Sequence, residues 1–114
     1  MKINVTSQGD IHVLELSGEL DYHSSPELRE KLSELTAKQA PKILVDLSGI
    51  DYMDSSGIAT FVEAFQKTKR YQGRLILAAL TATVRGVFEI AKLDSIFEIA
   101  PTVAEGTGLL GSKA

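Results

Sequence analysis

The sequence contains no cysteine among its 114 residues. Disulfides, thiolate nucleophiles and thiolate metal sites are therefore excluded. It has only two histidines, and these show no metal-ligand spacing with the carboxylates, so we expect no metal site. No apolar stretch approaches the roughly 20 residues that a membrane-spanning helix needs, and the first residues lack the apolar region of a secretory signal. These absences predict a cytoplasmic protein that does not act in a membrane.

Composition and charge indicate one globular domain. Apolar residues make up 44% of the chain and charged residues 24%, which favours a packed core over disorder. The net charge is −3 and no basic stripe is present, so we do not expect nucleic acid as a direct partner. No linker, repeat or low-complexity tract interrupts the chain. We therefore predict a single domain over residues 1–114.

Two hydrophobic periods alternate along the chain. Apolar residues at strand spacing predict a hairpin over residues 3–5 and 11–17, and apolar runs predict buried strands at 43–47 and 75–79 and a short edge strand at 96–99. Helical spacing predicts helices after Ser24, near Ser56 and after Thr81. The strands at 43–47 and 75–79 enclose a helix and should be parallel. The predicted fold class is α/β, a small mixed sheet of four to five strands with about four helices packed on it.

Helix starts are marked by side chains that can cap them. Ser24 and Glu27 have the spacing of a capping box, with Pro26 in the first turn. Thr102 and Glu105 repeat that spacing and suggest a last helix. Three glycines at 106, 108 and 111 weaken it, so we expect a flexible tail over about residues 106–114. These glycines also match a dinucleotide-binding pattern, which we interpret as chance because only three residues of the sequence follow it.

The segment Tyr52-Met53-Asp54-Ser55-Ser56-Gly57 lies between a predicted strand and a predicted helix. As a structural feature, Asp54, Ser55 or Ser56 caps the helix, which needs only one oxygen acceptor. As a functional feature, a serine at a helix N-terminus tolerates a phosphate, because free N–H groups and the helix dipole favour an anion there. A phosphate would add about −1.5 to −2 charges and change what the surface can bind. The spacing alone leaves both interpretations open.

A serine hydrolase is the enzymatic alternative. Ser55 or Ser56 would attack and His12 or His23 would act as base. The nucleophile elbow of such enzymes is G-x-S-x-G, whereas the residues two before these serines are Met53 and Asp54. We therefore expect no catalytic residue. The segment 21–23 is, from composition alone, an ordinary connection between a strand and a helix.

The chain resembles the STAS domain family, and within it the bacterial anti-sigma factor antagonists. The resemblance extends from about residue 3 to residue 103. The segments that carry it are Gly18-Glu19-Leu20-Asp21, Ile43-Leu44-Val45-Asp46-Leu47-Ser48, Tyr52-Met53-Asp54-Ser55-Ser56-Gly57 and Val84-Arg85-Gly86-Val87-Phe88-Glu89 with Leu93. Together they are specific, although the DSSG segment alone would be weak evidence. The resemblance implies a STAS-like fold.

It also implies a mechanism and partners. In the family, the unphosphorylated antagonist binds an anti-sigma factor that is also a serine kinase of the GHKL ATPase type, and this frees the sigma factor. Phosphorylation of the serine that matches Ser55 switches binding off, and a metal-dependent serine phosphatase reverses it. Asp21 matches an acidic loop residue that contacts the partner. The resemblance thus implies a partner surface that includes Asp21, Tyr22, Asp54, Ser56 and Gly57, with Ser56 as a cap or contact, and a protein without catalytic residues or cofactor.

The family is broader than this function. The alternative is a non-phosphorylated STAS adaptor subunit of a lipid- or anion-transport complex. The intact Asp54-Ser55 pair favours a phosphorylatable member, and the chain's length and lack of a predicted membrane segment argue against the tail of a transporter. The sequence does not choose further.

Overall fold

The architecture is a mixed sheet between two helical layers. The structure is a computed structural model that describes residues 1–111. Its elements are β1 (Lys2–Gln8), β2 (Ile11–Leu20), α1 (Ser25–Ala37), β3 (Lys42–Met53), α2 (Ser55–Arg70), β4 (Arg74–Ala78), α3 (Ala82–Ile90), β5 (Glu98–Ala100) and α4 (Val103–Gly111). The strand order is β1-β2-β3-β4-β5; β1 is antiparallel to β2 and the other pairs are parallel. The predicted α/β class, mixed sheet and four helices are confirmed.

The two faces of the sheet are covered unequally. Helices α1, α2 and α3 pack on one face, where the fully buried rings of Phe61 and Phe88 lie 6.4 Å apart between centroids. Helix α4 covers part of the other face, with Leu110 fully buried over Leu44 and Ile76. Because side chains alternate along β3, this strand contributes buried residues to the core on both faces of the sheet. Among residues 1–111, no helix combines the length and apolar character needed to cross a membrane.

Strands β2 and β3 are longer than their sequence pattern predicts. They continue past residues 17 and 47, and pair Gly18 with Ile50, Glu19 with Tyr52 and Leu20 with Met53 after two register shifts. These shifts break the regular alternation of side chains that the prediction relied on. The extension brings the carboxyl ends of β2 and β3 together with the starts of α1 and α2 at one edge of the sheet.

The predicted capping box at the start of α1 is wrong. Ser24 is the N-cap residue, but its side chain caps no helix N–H. Its hydroxyl instead donates to the Glu19 carbonyl at 2.8 Å and accepts from the Asp21 N–H at 2.9 Å. The Ser24 hydroxyl, which a capping box would use to accept a helix N–H, is therefore bonded within the turn before the helix.

The predicted tail is helical where the structure describes it, and its flexibility stays a prediction. Residues 103–111 form α4, whose first turn is capped by a bond of 3.1 Å from the Glu105 N–H to the Thr102 hydroxyl. Gly106 is buried, and a Cβ there would lie 2.7 Å from Leu44 Cδ1. The glycine thus allows close packing of helix on sheet, which offsets its poor helix propensity. The glycine pattern falls in a helix, and residues 112–114 of the predicted tail lie outside the described residues.

Candidate functional site

The start of α2 is capped by Asp54. Its backbone is extended, and its Oδ1 accepts a hydrogen bond of 2.8 Å from the Ser56 N–H. The Asp54 N–H donates in turn to the Leu20 carbonyl at 3.2 Å, which ties the cap to the end of β2. Of the three capping candidates, the structure selects the acid. The prediction of Ser56 as a cap is therefore wrong. Neither serine hydroxyl caps the helix.

The two serines differ in exposure. Ser55 is the first residue of α2 and is exposed, whereas Ser56 is half-buried. In the part of the chain that the structure describes, neither hydroxyl takes part in a hydrogen bond. Ser55 therefore presents the more accessible hydroxyl, at the end of the helix where the backbone dipole is positive.

Gly57 does not belong to the exposed surface. It is buried, and a Cβ at this position would lie 2.6 Å from Met53 Cγ and 2.9 Å from Leu20 Cγ. The predicted partner contact through Gly57 stays a prediction, and the structure places this residue beneath the exposed surface. The glycine is needed because α2 starts directly against the ends of β2 and β3, and any side chain there would enter the core.

Asp21 holds the turn that leads into α1. Its Oδ1 accepts hydrogen bonds from the N–H groups of His23 at 2.9 Å and Ser24 at 3.0 Å, and from the Ser24 hydroxyl at 3.2 Å. The bond from the Ser24 backbone is the main reason why the pKa of Asp21 lies below its ordinary value of 3.8. Among residues 1–111, its Oδ2 has no such partner. A contact from Asp21 to a partner protein stays a prediction, and its role in the turn is established by the structure.

Two exposed tyrosines lie in the segments that carry Asp21 and Ser55. Tyr22 follows Asp21 and exposes 75% of its surface, with its ring edge-on to that of His23 at 5.7 Å between centroids. Tyr52 lies at the end of β3, three residues before Ser55, and exposes 47%. Sequence reasoning did not select Tyr52, although an aromatic residue at the carboxyl end of a strand was a usable signal. We call the set Asp21, Tyr22, Tyr52, Asp54, Ser55 and Ser56 the Ser55 surface.

A groove runs from this surface between the starts of α1 and α2. Its volume is approximately 490 Å³. The residues that line it include Tyr22, His23, Arg29, Ser56 and Ala59. Arg29 forms an ion pair of 2.9 Å with Glu63 of α2. The groove therefore combines an exposed aromatic ring with a partly exposed arginine side chain.

The arrangement required for serine hydrolysis is not seen in residues 1–111. His12 lies at the opposite end of β2, where its ring contacts the Ser7 hydroxyl at 3.4 Å. His23 lines the same groove as Ser56, but no hydrogen bond joins the two within the described chain. No group of three or more histidine or carboxylate side chains in this range could hold a metal ion. The geometry offers an exposed hydroxyl without a positioned base.

The family is shown by comparison with known proteins. The sequence model of the STAS domain matches residues 2–106. The chain therefore belongs to the STAS domain family, as its motifs predict.

Within that family, the chain is similar to regulators of sigma factors. It shares 38% identity over 103 residues with the anti-sigma-B factor antagonist of Bacillus subtilis (strain 168), covering 88% of this chain and 93% of the relative. An anti-sigma factor antagonist from Mycobacterium paratuberculosis has the same fold, with a TM-score of 0.89, 22% identity and coverage of 97% and 94%. The Bacillus cell fate determinant SpoIIAA in its phosphorylated form gives a TM-score of 0.77 at 25% identity, covering 96% and 99%.

Proposed function

We propose that this chain is an anti-sigma factor antagonist that works by partner switching. With Ser55 unmodified, the Ser55 surface binds an anti-sigma factor and so frees the sigma factor; phosphorylation of Ser55 ends the binding. The observation that carries the proposal is the cap: the Asp54 carboxylate satisfies the first turn of α2, and the Ser55 hydroxyl is left exposed. The relatives named above support it.

The proposed partner is itself the modifying enzyme. The anti-sigma factor is a serine kinase of the GHKL ATPase type, and a metal-dependent serine phosphatase restores the unmodified form. A kinase that binds at the Ser55 surface meets the exposed hydroxyl directly, so docking and modification use the same residues. In this proposal the chain is a cytoplasmic binding module and kinase substrate that supplies no catalytic group of its own.

The Ser55 surface has the chemical character of a protein interface. Exposed tyrosines are enriched at such interfaces because the ring buries apolar area while the hydroxyl keeps a polar partner. Tyr22 and Tyr52 are the exposed tyrosines of the Ser55 surface. The turn bonded through Asp21 fixes the backbone of Tyr22, which lowers the conformational entropy lost on binding.

A phosphate on Ser55 would change the interface more than the fold. The start of α2 tolerates an anion because the positive end of the helix dipole lies there. At the centre of a packed interface, however, the phosphate adds volume and about −1.5 to −2 charges that must lose their hydration. A tenfold loss of affinity requires only about 1.4 kcal/mol. One phosphate is therefore sufficient for a switch.

The test is phosphorylation of the purified chain by the GHKL-type kinases of the source organism, with Ser55→Ala and Ser56→Ala in parallel. We expect one phosphoryl group on Ser55, absent from Ser55→Ala and retained by Ser56→Ala, as mapped by mass spectrometry. The Ser56 variant is the matched control because the two hydroxyls are neighbours. Persistent phosphorylation of Ser55→Ala would assign another acceptor, and no phosphorylation by any of these kinases would favour the adaptor alternative.

A further inference from the structure

Strand β1 is an edge of the sheet that no other element of residues 1–111 pairs with on its outer side. It pairs through residues 2–8 with β2 on one side only. Six of its seven residues are exposed, and within residues 1–111 no further backbone hydrogen bond engages this strand. Its outer N–H and C=O groups are therefore free to pair with another strand. The opposite edge, β5, has only three residues.

The devices that normally protect an edge strand are few in β1. The strand contains no proline, and its single charged residue is Lys2 at the start. Its pairing with β2 shows no bulge or register shift. Val5, at its centre, exposes 42% of its surface although its cross-strand neighbour Leu14 is fully buried. An exposed, regular edge with an apolar centre favours strand addition.

We propose that two copies of this chain pair antiparallel through β1, with Val5 directly opposite Val5 of the second copy. This register pairs all seven residues of the strand. Each Lys2 then faces an uncharged Gln8, each Ile3 faces Ser7, and each Asn4 faces Thr6. A shift of the centre to residue 4 or 6 leaves two residues of each strand unpaired. In the proposed register no like charges face each other, and the two valines cover one another.

The charges beyond the strand ends are complementary in this arrangement. The ammonium group of Lys2 lies at one end of β1. Asp10 lies in the turn at the other end, where its carboxylate also pairs with Lys42 at 3.2 Å. Antiparallel pairing places the positive end of each strand beside the acidic turn of the other copy. A second copy is therefore complementary to this edge both in hydrogen bonding and in charge.

The dimer leaves the Ser55 surface free. That surface lies at the edge of the sheet formed by the carboxyl ends of β2 and β3, whereas β1 pairs along its side. The twofold axis would direct the two Ser55 surfaces to opposite ends of a ten-stranded sheet. Each copy can then bind its own partner, so the dimer goes beyond the proposed function and does not depend on it.

Sedimentation velocity of the full chain over a concentration series tests the proposal. We expect a concentration-dependent dimer for the parent, and at least a tenfold weaker association for Val5→Lys and for Val5→Glu, because each places like charges opposite one another. An equimolar mixture of Val5→Lys and Val5→Glu should recover association, since opposite charges then face each other. This recovery is specific to a register in which residue 5 meets itself.

Ile90→Lys is the control, because Ile90 is also an exposed apolar residue but lies on α3. Its dimer should match that of the parent, and circular dichroism melts should show all variants folded. A parent that stays monomeric up to millimolar concentration would overturn the proposal. So would a Val5→Lys variant that dimerises as well as the parent, or a mixture that fails to associate.

Discussion

The carboxylate of Asp54 and the backbone N–H of Ser56 are joined by a hydrogen bond of 2.8 Å. This bond separates two tasks at the start of α2. The acid satisfies the helix, and the serine hydroxyls remain available for chemistry. A segment with two adjacent serines thus needs neither of them for its fold.

Removal of the Asp54 cap should weaken the fold measurably. We expect Asp54→Ala to lower the free energy of unfolding by about 0.5–2 kcal/mol, because the Ser56 N–H loses its acceptor. Asp54→Asn keeps an acceptor oxygen and should lose less. Asp51→Ala is the control, since Asp51 is an exposed neighbouring acid outside the helix. Urea denaturation measures all three, and equal losses at positions 51 and 54 would contradict the capping role.

Two glycine substitutions should have opposite effects. Gly57→Ala places a methyl group against Met53 and Leu20, and we expect it to destabilise the fold by about 1–3 kcal/mol. Gly86 in α3 has no atom within 4 Å of an added Cβ. Gly86→Ala should therefore stabilise by about 0.5–1 kcal/mol through helix propensity. Thermal melts of the two variants distinguish these effects. An unchanged melting temperature for Gly57→Ala would contradict the close packing of Gly57 against Met53 and Leu20.

A negative charge at Ser55 should weaken partner binding without unfolding the chain. We expect Ser55→Glu to reduce affinity for the anti-sigma factor at least tenfold, or about 1.4 kcal/mol, whereas Ser55→Ala should bind like the parent. Ser95→Glu adds the same charge at an exposed site before β5, away from the Ser55 surface. Calorimetric titration of each variant gives the affinities. A similar loss in Ser95→Glu would attribute the effect to net charge instead of position.

The contribution of Asp21 to stability should depend on pH. The N–H of Ser24 lowers the pKa of the folded-state carboxyl below 3.8, so the ionised form stabilises the fold above that pH. This contribution disappears as pH falls through the folded-state pKa. The difference in melting temperature between the parent and Asp21→Ala should therefore be larger at pH 7 than at pH 3. A difference that grows on acidification would contradict this assignment.

Much of the fold could be predicted because periodicity reports burial. The stripes that predicted α1 to α3 contain residues that are buried, such as Leu28, Phe61 and Phe88. Thr81 caps α3 as predicted, with a bond of 3.4 Å from the Val84 N–H. Spacing could not predict that the hydroxyl of Ser24 would serve the turn instead of the helix, because Glu19 and Asp21 compete for it only after folding.

The candidate site was predicted in composition but not in orientation. Apart from Tyr52, its residues belong to two short segments, 21–22 and 54–56, which sequence motifs name without saying which side chains point outwards. Gly57 faces the core because Leu20 and Met53 meet beneath it, a contact set by two register shifts that the pattern does not reveal. Gly106 was misjudged for the same reason, since its closeness to Leu44 exists only in the packed structure.

The backbone of the Ser55 surface is held by the Asp54 cap of α2 and by the turn bonded through Asp21. The exposed rings of Tyr22 and Tyr52 are not among these supports. Under the proposed function, these rings are recognition residues that can be exchanged between related chains without rebuilding the scaffold. Such independence lets duplicated copies of this domain diverge in partner choice while sharing one fold, and it makes these two positions the natural place to transplant specificity from one signalling pathway to another.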